Sequence, residues 1–466
     1  MINIALTFFE IFLFSYQVLV RRLSKLKLKG KIAEKPDFHS IDLGIKIYEN
    51  NRLVNFSKID QIDGKDLSNL FKVYGPNIQW NDVELEKKTI WEVYRFKWLL
   101  TQERRIQEKI ISEYLKTKCG YGPLYMNSME VSIRLINLTQ IRNPPKELEI
   151  RLKHDYKFIY KNLEVSFNSK LERFAYNHYL FGLLGIYYYN KNNRITKYLL
   201  QREIETQFID GIHFEGSGHY HYFTYIAIKT YAPELLKNHV FNGRLCFGDN
   251  DSGWTSIHNL SQIHQQTRTF LSNDFHYIKL GDFNFASHIQ ISEPSGHTHN
   301  DLESINLFYK GEMIIGNGAS YSYTNESRME ERNGKYINGF HSKENKSITD
   351  KFSKLKQINP YRFNYNESYY QYLSKSLARE VYIDEEKLLI QDENKYEYRP
   401  YTLILRCSEW IKNASGFYHT KKNLQLETSN FSCSNHKVSF SYNNYESVYY
   451  LTSNEKKIKI LIWQEA

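Results

Sequence analysis

The hydrophobic period of this sequence changes once, near residue 265, and that change limits the folds open to the chain. Between residues 90 and 236, apolar side chains recur every three or four positions, the spacing of helices that bury one face. After residue 265, short alternating or β-branched runs are separated by Asn, Asp, Gly and Ser, a pattern typical of antiparallel strands joined by turns. The sequence therefore predicts a helical part followed by an antiparallel β part.

The helical part is divided by turn and breaker residues. The run 129–141 ends at Asn143-Pro144-Pro145, because proline cannot continue a helix. Successive helices with short links favour antiparallel hairpins arranged in a ring or bundle. The predicted helices are 129–141, 147–160, 171–189, 195–208 and 220–229.

The β part contains many short segments with turn residues between them, as expected for an antiparallel sandwich. At 466 residues, the chain also exceeds the size at which a single core stops growing. We expect a domain from 31 to 262 and a second from 263 to 466, after an N-terminal helix at 1–30. The predicted strands are 270–280, 283–291, 304–309, 312–315, 378–383, 387–390, 401–411, 438–442, 448–452 and 458–463.

The first residues favour an amphipathic helix. Residues 2–20 are largely apolar but include Glu10, Ser15 and Gln17, and the basic run 21–25 follows them. A cleavable signal peptide needs its positive charge first and a small-residue cleavage site afterwards, and neither is evident. The helix is predicted to pack on the protein body or to associate peripherally with a membrane surface. An uncleaved anchor is the alternative.

The net charge of the chain indicates which kinds of partner it can bind. The formal net charge of +10 favours a polyanion, whether nucleic acid, anionic lipid or acidic polysaccharide. Nucleic-acid binding would need a groove of clustered Lys and Arg, whereas the basic residues here are spread along the chain. We therefore expect no nucleic-acid partner.

The sequence has no C-x-x-C pair among its cysteines, which are Cys119, Cys246, Cys407 and Cys433. This spacing excludes a zinc ribbon and a dense disulfide scaffold.

The stretch from Gly296 to Asp301 reads GHTHND and follows a predicted strand and a Pro-Ser-Gly turn. The motif carries two histidines, His297 and His299. One can face a substrate cleft while the other faces a metal ion or the supporting core. Histidine is suited to pairing with carboxylates, moving protons and ligating metals near neutral pH. Alone, this motif is a weak indication of function, and its value depends on the other motifs in the chain.

Four further segments and this motif resemble motifs of the heparinase II/III-like polysaccharide lyases, and they occur in the same order as in that family. Residues 129–137, MEVSIRLIN, are similar to that family's "MEvaiRaiN" helix, and Asn177-His178-Tyr179-Leu180 resembles its "NHyl" helix. Residues 210–221, DGIHFEGSGHYH, resemble "DGghfErSpmYH", and residues 296–301 match "GHaHaD". Residues 316–321, GNGASY, stand where "DpGty" is expected. The resemblance covers roughly residues 90–345.

The resemblance implies an incomplete (α/α) toroid followed by an antiparallel β-sandwich, and β-elimination on a uronic-acid-containing acidic polysaccharide. Asn177 and His178 match positions that neutralise the substrate carboxylate, Tyr220 matches the base and acid, and His297 assists. Because an ordinary tyrosine has a pKa near ~10, a tyrosine base needs cationic neighbours, and His219 and His221 are candidates. Arg134, Glu215 and His221 are further candidate substrate contacts.

The resemblance also implies a zinc ion held between strands, which would be structural and not required for chemistry. The candidate ligands are His299, Asn317 and His341, with Glu344 as the alternative to His341. Asn317 stands where the family has an aspartate, and an amide is a weaker ligand than a carboxylate. Residues 249–253, DNDSG, resemble a calcium loop but lack the glycine and glutamate spacing, so a polar turn is predicted there.

Two functions fit these observations. The first is a polysaccharide lyase. The second is a catalytically inactive protein of the same fold that binds glycan or assists surface-polysaccharide assembly. For either, the family favours the bacterial cell envelope or periplasm, and the oligomeric state stays open.

Overall fold

A computed structural model describes residues 10–12, 15, 95–116, 128–167, 173–237, 239–243, 245–249, 268–290, 297–318, 331–333, 336–341, 360–384, 387–395, 399–414, 416–441 and 444–464. These residues form two compact units. The described residues within 1–207 and 226–236 form the first, and those within 208–225, 237–249 and 268–464 form the second. The predicted boundaries at 30/31 and 262/263 lie outside the described residues.

The first unit is mainly helical. A 3₁₀ helix at Lys97–Thr101 precedes its α-helices, and a short antiparallel pair stands between the third and fourth of them. In chain order, the elements are α1 Arg104–Lys116, α2 Ser128–Thr139, α3 Lys146–Lys161, β1 Val165–Phe167, β2 Arg173–Ala175, α4 Asn177–Tyr189 and α5 Arg194–Gln207.

Helix α2 is buried over nearly its whole length and packs closely on α4. A Cβ atom added at Gly185 of α4 would lie 2.7 Å from Ser132 Cβ, so only glycine permits this approach. The charged residues of α2 are paired inside the unit: Arg95 Nε donates to Glu130 over 2.5 Å, and Arg134 donates twice to Asp155. Pairing offsets the cost of burying these charges.

The second unit contains the first part of helix α6, Gly218–Tyr231, and antiparallel sheets. A five-stranded sheet has the order β5-β6-β7-β8-β9, a four-stranded sheet β10-β15-β20-β19, and an eight-stranded sheet β11-β12-β13-β14-β21-β18-β17-β16. The strands are β3 Phe208–Ile209, β4 Ile212–His213, β5 Phe270–Leu271, β6 Phe275–Leu280, β7 Phe283–His288, β8 Ile305–Tyr309, β9 Glu312–Ile315, β10 Gly339–Phe340, β11 Tyr361–Tyr365, β12 Tyr369–Ser374, β13 Leu377–Asp384, β14 Lys387–Asn394, β15 Tyr401–Arg406, β16 Trp410–Asn413, β17 Gly416–His419, β18 Leu424–Thr428, β19 Ser432–Ser441, β20 Asn444–Ser453 and β21 Lys457–Gln464.

One hydrophobic core joins these sheets. In β14, buried residues alternate with exposed or half-buried ones, as a strand with one face on a core requires. Leu388 and Ile390 of this strand pack in one cluster with Phe285 of the five-stranded sheet and Leu403 of the four-stranded sheet. Inside the cluster, the buried Arg379 is paired with Asp392 through two hydrogen bonds.

The predicted order, helices first and antiparallel strands afterwards, is confirmed at this level. The toroid and sandwich descriptions remain predictions. Among the described helices, none has the length and apolar composition that spanning a bilayer requires. Of the predicted N-terminal helix, Glu10 to Phe12 and Ser15 are described and are helical; the remainder of 1–30 lies outside the described residues.

Candidate active site

Three chain segments of the second unit meet at the GHTHND motif. Gly218 N–H donates to Phe247 O over 2.8 Å, and Asp249 N–H donates to His297 O over 2.8 Å. Gly248 has φ +63°, and a Cβ atom there would lie 2.4 Å from Gly216 O and 2.7 Å from His297 O. Because a side chain would block both approaches, glycine at 248 lets segments 215–218, 246–249 and 297–301 converge.

His297 lies among one aromatic and two acidic side chains. Its Nδ1 is 2.8 Å from Asp249 Oδ2, and its Nε2 is 3.5 Å from Glu215 Oε2. The Tyr220 ring stacks on the imidazole with ring centroids 3.8 Å apart and 26° between planes. An Nδ1–H bond to Asp249 favours the tautomer in which Nε2 faces away from that carboxylate with its lone pair free. The structure thus brings together Tyr220, His297 and Glu215, three of the predicted site residues.

Tyr220 is held in place by the start of α6. Ser217 precedes the helix, and its Oγ accepts a hydrogen bond from Tyr220 N–H over 3.2 Å, the geometry of an N-cap. The same Oγ donates to Asp249 O over 2.5 Å. Tyr220 is half-buried and stands in the first helical turn, where the helix dipole favours negative charge.

The other residues of the GHTHND motif support this arrangement. His299 Nε2 lies 2.7 Å from Asp249 Oδ1, so one carboxylate holds both histidines. Asp301 Oδ2 accepts from Gly248 N–H over 2.7 Å, and its Oδ1 lies 2.8 Å from His288 Nδ1. Asp301 therefore fixes the backbone next to Asp249.

His221, predicted as a substrate contact and a cationic neighbour of Tyr220, does not fit those roles. Its Nδ1 accepts from His213 N–H and its Nε2 donates to Phe241 O. Only 1% of the residue is exposed, and burial lowers the pKa of His221 to about 4. His221 is therefore neutral near pH 7 and anchors α6 from within the protein.

Asn177 and His178 begin helix α4 in the first unit. Asn177 is buried, whereas His178 is half-exposed, with its Nδ1 2.9 Å from Glu164 Oε2. The His178 imidazole and hydrogen bonds from Ser128 lower the pKa of Glu164 despite its burial. This pairing orients His178 at a helix N-terminus, where anions are favoured. Because these residues belong to a different unit from Tyr220 and His297, their meeting at one site remains a prediction.

Arg134, predicted as a substrate contact, is instead paired with Asp155 inside the first unit. It is 1% exposed, and its Nε and Nη2 donate to the two carboxylate oxygens of Asp155 over 2.8 and 2.7 Å. A guanidinium held in this way inside a helical unit does not reach a ligand, so we leave Arg134 out of the site.

The predicted metal ligands are engaged with protein groups. Asn317 Oδ1 accepts from Asn338 N–H over 2.8 Å while its Nδ2 donates to Ser304. His341 Nε2 is 3.1 Å from Thr402 Oγ1. Within the part of the chain that the structure describes, no group of three or more His, Cys, Asp or Glu side chains is arranged to hold a metal ion. This donor set does not fit a zinc ion.

Asp249 is the residue that the sequence did not single out. It is fully buried and is the only member of the DNDSG loop, residues 249–253, among the described residues. The sequence of this loop resembles a calcium site but predicts a polar turn. In the sequence, Asp249 is marked only by its place directly after Gly248, between the motifs at 210–221 and 296–301. This is too general a pattern to identify a histidine partner.

Comparison with known proteins supports the fold. No protein-family model and no curated protein sequence matches this chain. A crystal structure of heparinase III aligns with a TM-score of 0.52 at 11% identity, covering 83% of this chain and 78% of that one. A heparinase III gene product aligns at 0.49 with 15% identity over 88% and 84% of the two chains, and a mutant of the heparan sulfate lyase HepC from Pedobacter heparinus aligns at 0.43 with 14% identity over 90% and 87%.

The heparinase III alignment shows that this chain shares the fold of heparinase III, in agreement with the resemblance that the sequence motifs indicated.

Proposed function

We propose that this protein is a polysaccharide lyase that cleaves a uronic-acid-containing acidic glycan by β-elimination. The observation that carries the proposal is the stacked pair of Tyr220 and His297, 3.8 Å between ring centroids, with His297 held by Asp249. The phenol can serve as base and then as acid, and the oriented imidazole can help to neutralise the substrate carboxylate. The heparinase III fold and the ordered motifs support the same reaction class.

In the proposed reaction, ionised Tyr220 removes the proton from C5 of the uronic acid. The electron pair of the broken C5–H bond forms the C4–C5 double bond, and the C4–O bond to the next sugar breaks with its electrons on oxygen. The Tyr220 hydroxyl then returns its proton to that oxygen. The products are an unsaturated uronate at one new end and a free hydroxyl at the other, with no water consumed.

The substrate carboxylate must be neutralised for the C5 proton to become acidic enough to remove. Asn177 and His178 are proposed to donate to this carboxylate, and His297 assists from Nε2 while Asp249 holds Nδ1. Each well-placed donor lowers the barrier by roughly 3–4 kcal/mol, by analogy with an oxyanion-hole donor. Glu215, 3.5 Å from His297 Nε2, is proposed to stabilise the protonated imidazole.

The second candidate is an inactive glycan-binding or surface-polysaccharide assembly protein. One observation favours it: Asn317 replaces the family's aspartate and is bonded to Asn338 and Ser304. The stacked Tyr220–His297 pair favours a catalytic role, so the lyase is the first candidate.

The test is ultraviolet absorbance of unsaturated uronate after incubation with heparan sulfate, alginate and other polyuronates. The parent protein should produce absorbance with at least one polymer, and Tyr220→Phe should lower the rate by about a thousandfold or more because the base is lost. Tyr198→Phe, an exposed tyrosine on α5, is the matched control and should keep the parent rate. Glycan binding without absorbance from any polymer would favour the inactive protein instead.

A further inference from the structure

The edge strand β11 carries three aromatic side chains on one face of the eight-stranded sheet. Tyr361, Phe363 and Tyr365 alternate with Arg362 and Asn364, so the three rings share a face. Neighbouring ring centroids are 6.1 and 6.2 Å apart, with 32° and 22° between planes. Phe363 and Tyr365 are 41% and 42% exposed. We call these three residues the aromatic strip.

Two cavities of the second unit adjoin the aromatic strip. One, of about 630 Å³, is lined by Tyr361 and Phe363 together with polar side chains that include Asp210 and Asn273. The other, of about 740 Å³, is lined by Tyr365 with Lys279 and Glu367 among its polar residues. Arg268 and Thr269 line both cavities. The strip and the two cavities therefore form one groove.

The rings of the aromatic strip pack against buried side chains. His276 is buried beneath the strip, with its ring 4.5 Å from the Phe363 ring at an angle of 63°. Its Nδ1 lies 3.1 Å from the Tyr370 hydroxyl. Tyr361 also packs against Tyr372 of the neighbouring strand, with ring centroids 5.6 Å apart. A platform held in this way binds a flat ligand face with little loss of side-chain entropy.

We infer that this groove is a second glycan-binding site, which holds a segment of the polysaccharide other than the sugar that reacts. This inference rests on the proposed function for the identity of the polymer. The C–H groups on a sugar-ring face carry partial positive charge and are attracted to the negative face of an aromatic ring. Asp210, Asn273, Arg268 and Lys279 offer both hydrogen-bond acceptors and donors to hydroxyl and acidic groups.

The groove's charges favour a glycan over a nucleic acid. Single-stranded nucleic acids also stack on aromatic side chains, but their binding grooves are strongly positive. Here the carboxylates of Asp210 and Glu367 stand beside Arg268 and Lys279, so a closely spaced phosphate chain would meet repulsion. The hydroxyls of an acidic glycan can donate to the carboxylates while its acidic groups pair with Arg268 and Lys279, so such a polymer uses both signs of charge.

The groove is connected to the candidate active site through packed rings of the second unit. Phe270 lines the first cavity and lies 5.0 Å from Phe241, whose ring is 5.7 Å from that of His221 on α6. Tyr220 is the next residue to His221. A glycan segment held on the strip is therefore bound by the unit that also carries the proposed base.

The test measures binding of heparan sulfate, alginate and a single-stranded oligonucleotide in the Tyr220→Phe background, which prevents cleavage. The Phe363→Ala/Tyr365→Ala double variant should weaken polysaccharide binding about tenfold or more, because two stacking surfaces are removed. Arg268→Gln should weaken it as well. Ile411→Ala, an exposed apolar residue on β16 at the opposite edge of the same sheet, should bind like the background protein.

Unchanged polysaccharide binding in both the double variant and Arg268→Gln would overturn the inference, even if the parent protein cleaves polysaccharide. Tighter binding of the oligonucleotide, lost in the double variant, would also overturn it. Conversely, strip-dependent glycan binding by a parent protein that cleaves no polymer would support the second site and contradict the lyase. Circular dichroism confirms that each variant is folded.

Discussion

Asp249 Oδ2 lies 2.8 Å from His297 Nδ1, and this bond orients the imidazole against the Tyr220 ring. The other oxygen of the carboxylate is 2.7 Å from His299 Nε2, so the two histidines of the GHTHND motif share one buried acceptor. The carboxylate determines which nitrogen of His297 carries a proton and which is offered to a substrate. In the proposed reaction, Asp249 is a positioning residue that acts through His297.

We predict that Asp249→Asn lowers kcat about a hundredfold with little change in KM. An amide can donate to Nδ1 and so stabilise the wrong tautomer of His297, while the shape of the loop is kept. Steady-state kinetics on the polymer that the parent cleaves will measure this effect.

The control for Asp249→Asn is Asp282→Asn, which changes an exposed carboxylate in the turn between β6 and β7 and should keep the parent kcat. The pH profile of kcat distinguishes positioning from stability: if Asp249 acts through His297, the profile of Asp249→Asn changes shape. A lower kcat with an unchanged profile would contradict that role.

Part of the site could be predicted because its residues stand in short motifs. Tyr220, Glu215 and His297 were identified from such motifs, and they do meet in the second unit. Arg134 and His221 were misassigned because sequence does not show burial. Each is 1% exposed, and each is bonded to a partner that only the fold identifies.

The fold was predicted where periodicity is strong. The prediction of a helix at 129–141 agrees closely with α2, Ser128–Thr139. The hairpin β11–β12 was missed because β12 carries tyrosines on both faces, and because the residues of β11 are mostly exposed and do not mark a buried face. The predicted helix at 171–189 begins too early, since Arg173–Ala175 pairs as a strand with Val165–Phe167. Such pairing is a tertiary effect that overrides local propensity.

We predict that Arg134→Met destabilises the protein by about 3–5 kcal/mol, because removing the guanidinium leaves the Asp155 carboxylate buried without its charge partner. The double variant Arg134→Met/Asp155→Leu should recover much of this loss. Urea unfolding measures both. A lower kcat/KM with unchanged stability in Arg134→Met would instead restore Arg134 as a substrate contact.

Acid should destabilise the protein between pH 6.5 and 4. Burial lowers the pKa of His221 and of His276 to about 4, whereas an unfolded histidine titrates near ~6.5. Between these values, the unfolded chain binds more protons, so the free energy of unfolding falls as pH falls, by up to roughly 3 kcal/mol for each histidine. Urea unfolding from pH 7.5 to 4.5 will show this loss.

His276→Asn provides the comparison for the acid effect. The amide can still bond to the Tyr370 hydroxyl, which lies 3.1 Å from His276 Nδ1, but it does not titrate. The variant should lose less stability than the parent between pH 6.5 and 4.5, whatever its stability at pH 7.5. Equal pH dependence in both proteins would exclude His276 as a source of the acid effect.

The last prediction concerns Glu10, which is fully buried in the first unit. Its carboxylate accepts hydrogen bonds from Arg173, Arg202 and the Tyr179 hydroxyl. These contacts support packing of the N-terminal helix on the protein body at this residue. Glu10→Ala should lower the free energy of unfolding by about 3–5 kcal/mol, because the two guanidiniums lose a buried partner.

Glu147→Ala, which removes an exposed carboxylate from α3, is the matched control for Glu10→Ala and should change stability by no more than about 0.5 kcal/mol. Urea unfolding of both variants decides the point. Equal stability of Glu10→Ala and the parent would mean that the N-terminal helix is not held by this carboxylate. The prediction that the helix associates with a membrane surface would then gain support. Flotation with anionic vesicles tests this directly: the parent protein should stay unbound if Glu10 holds the helix, and Glu10→Ala should then increase the bound fraction because the helix is no longer held by this carboxylate.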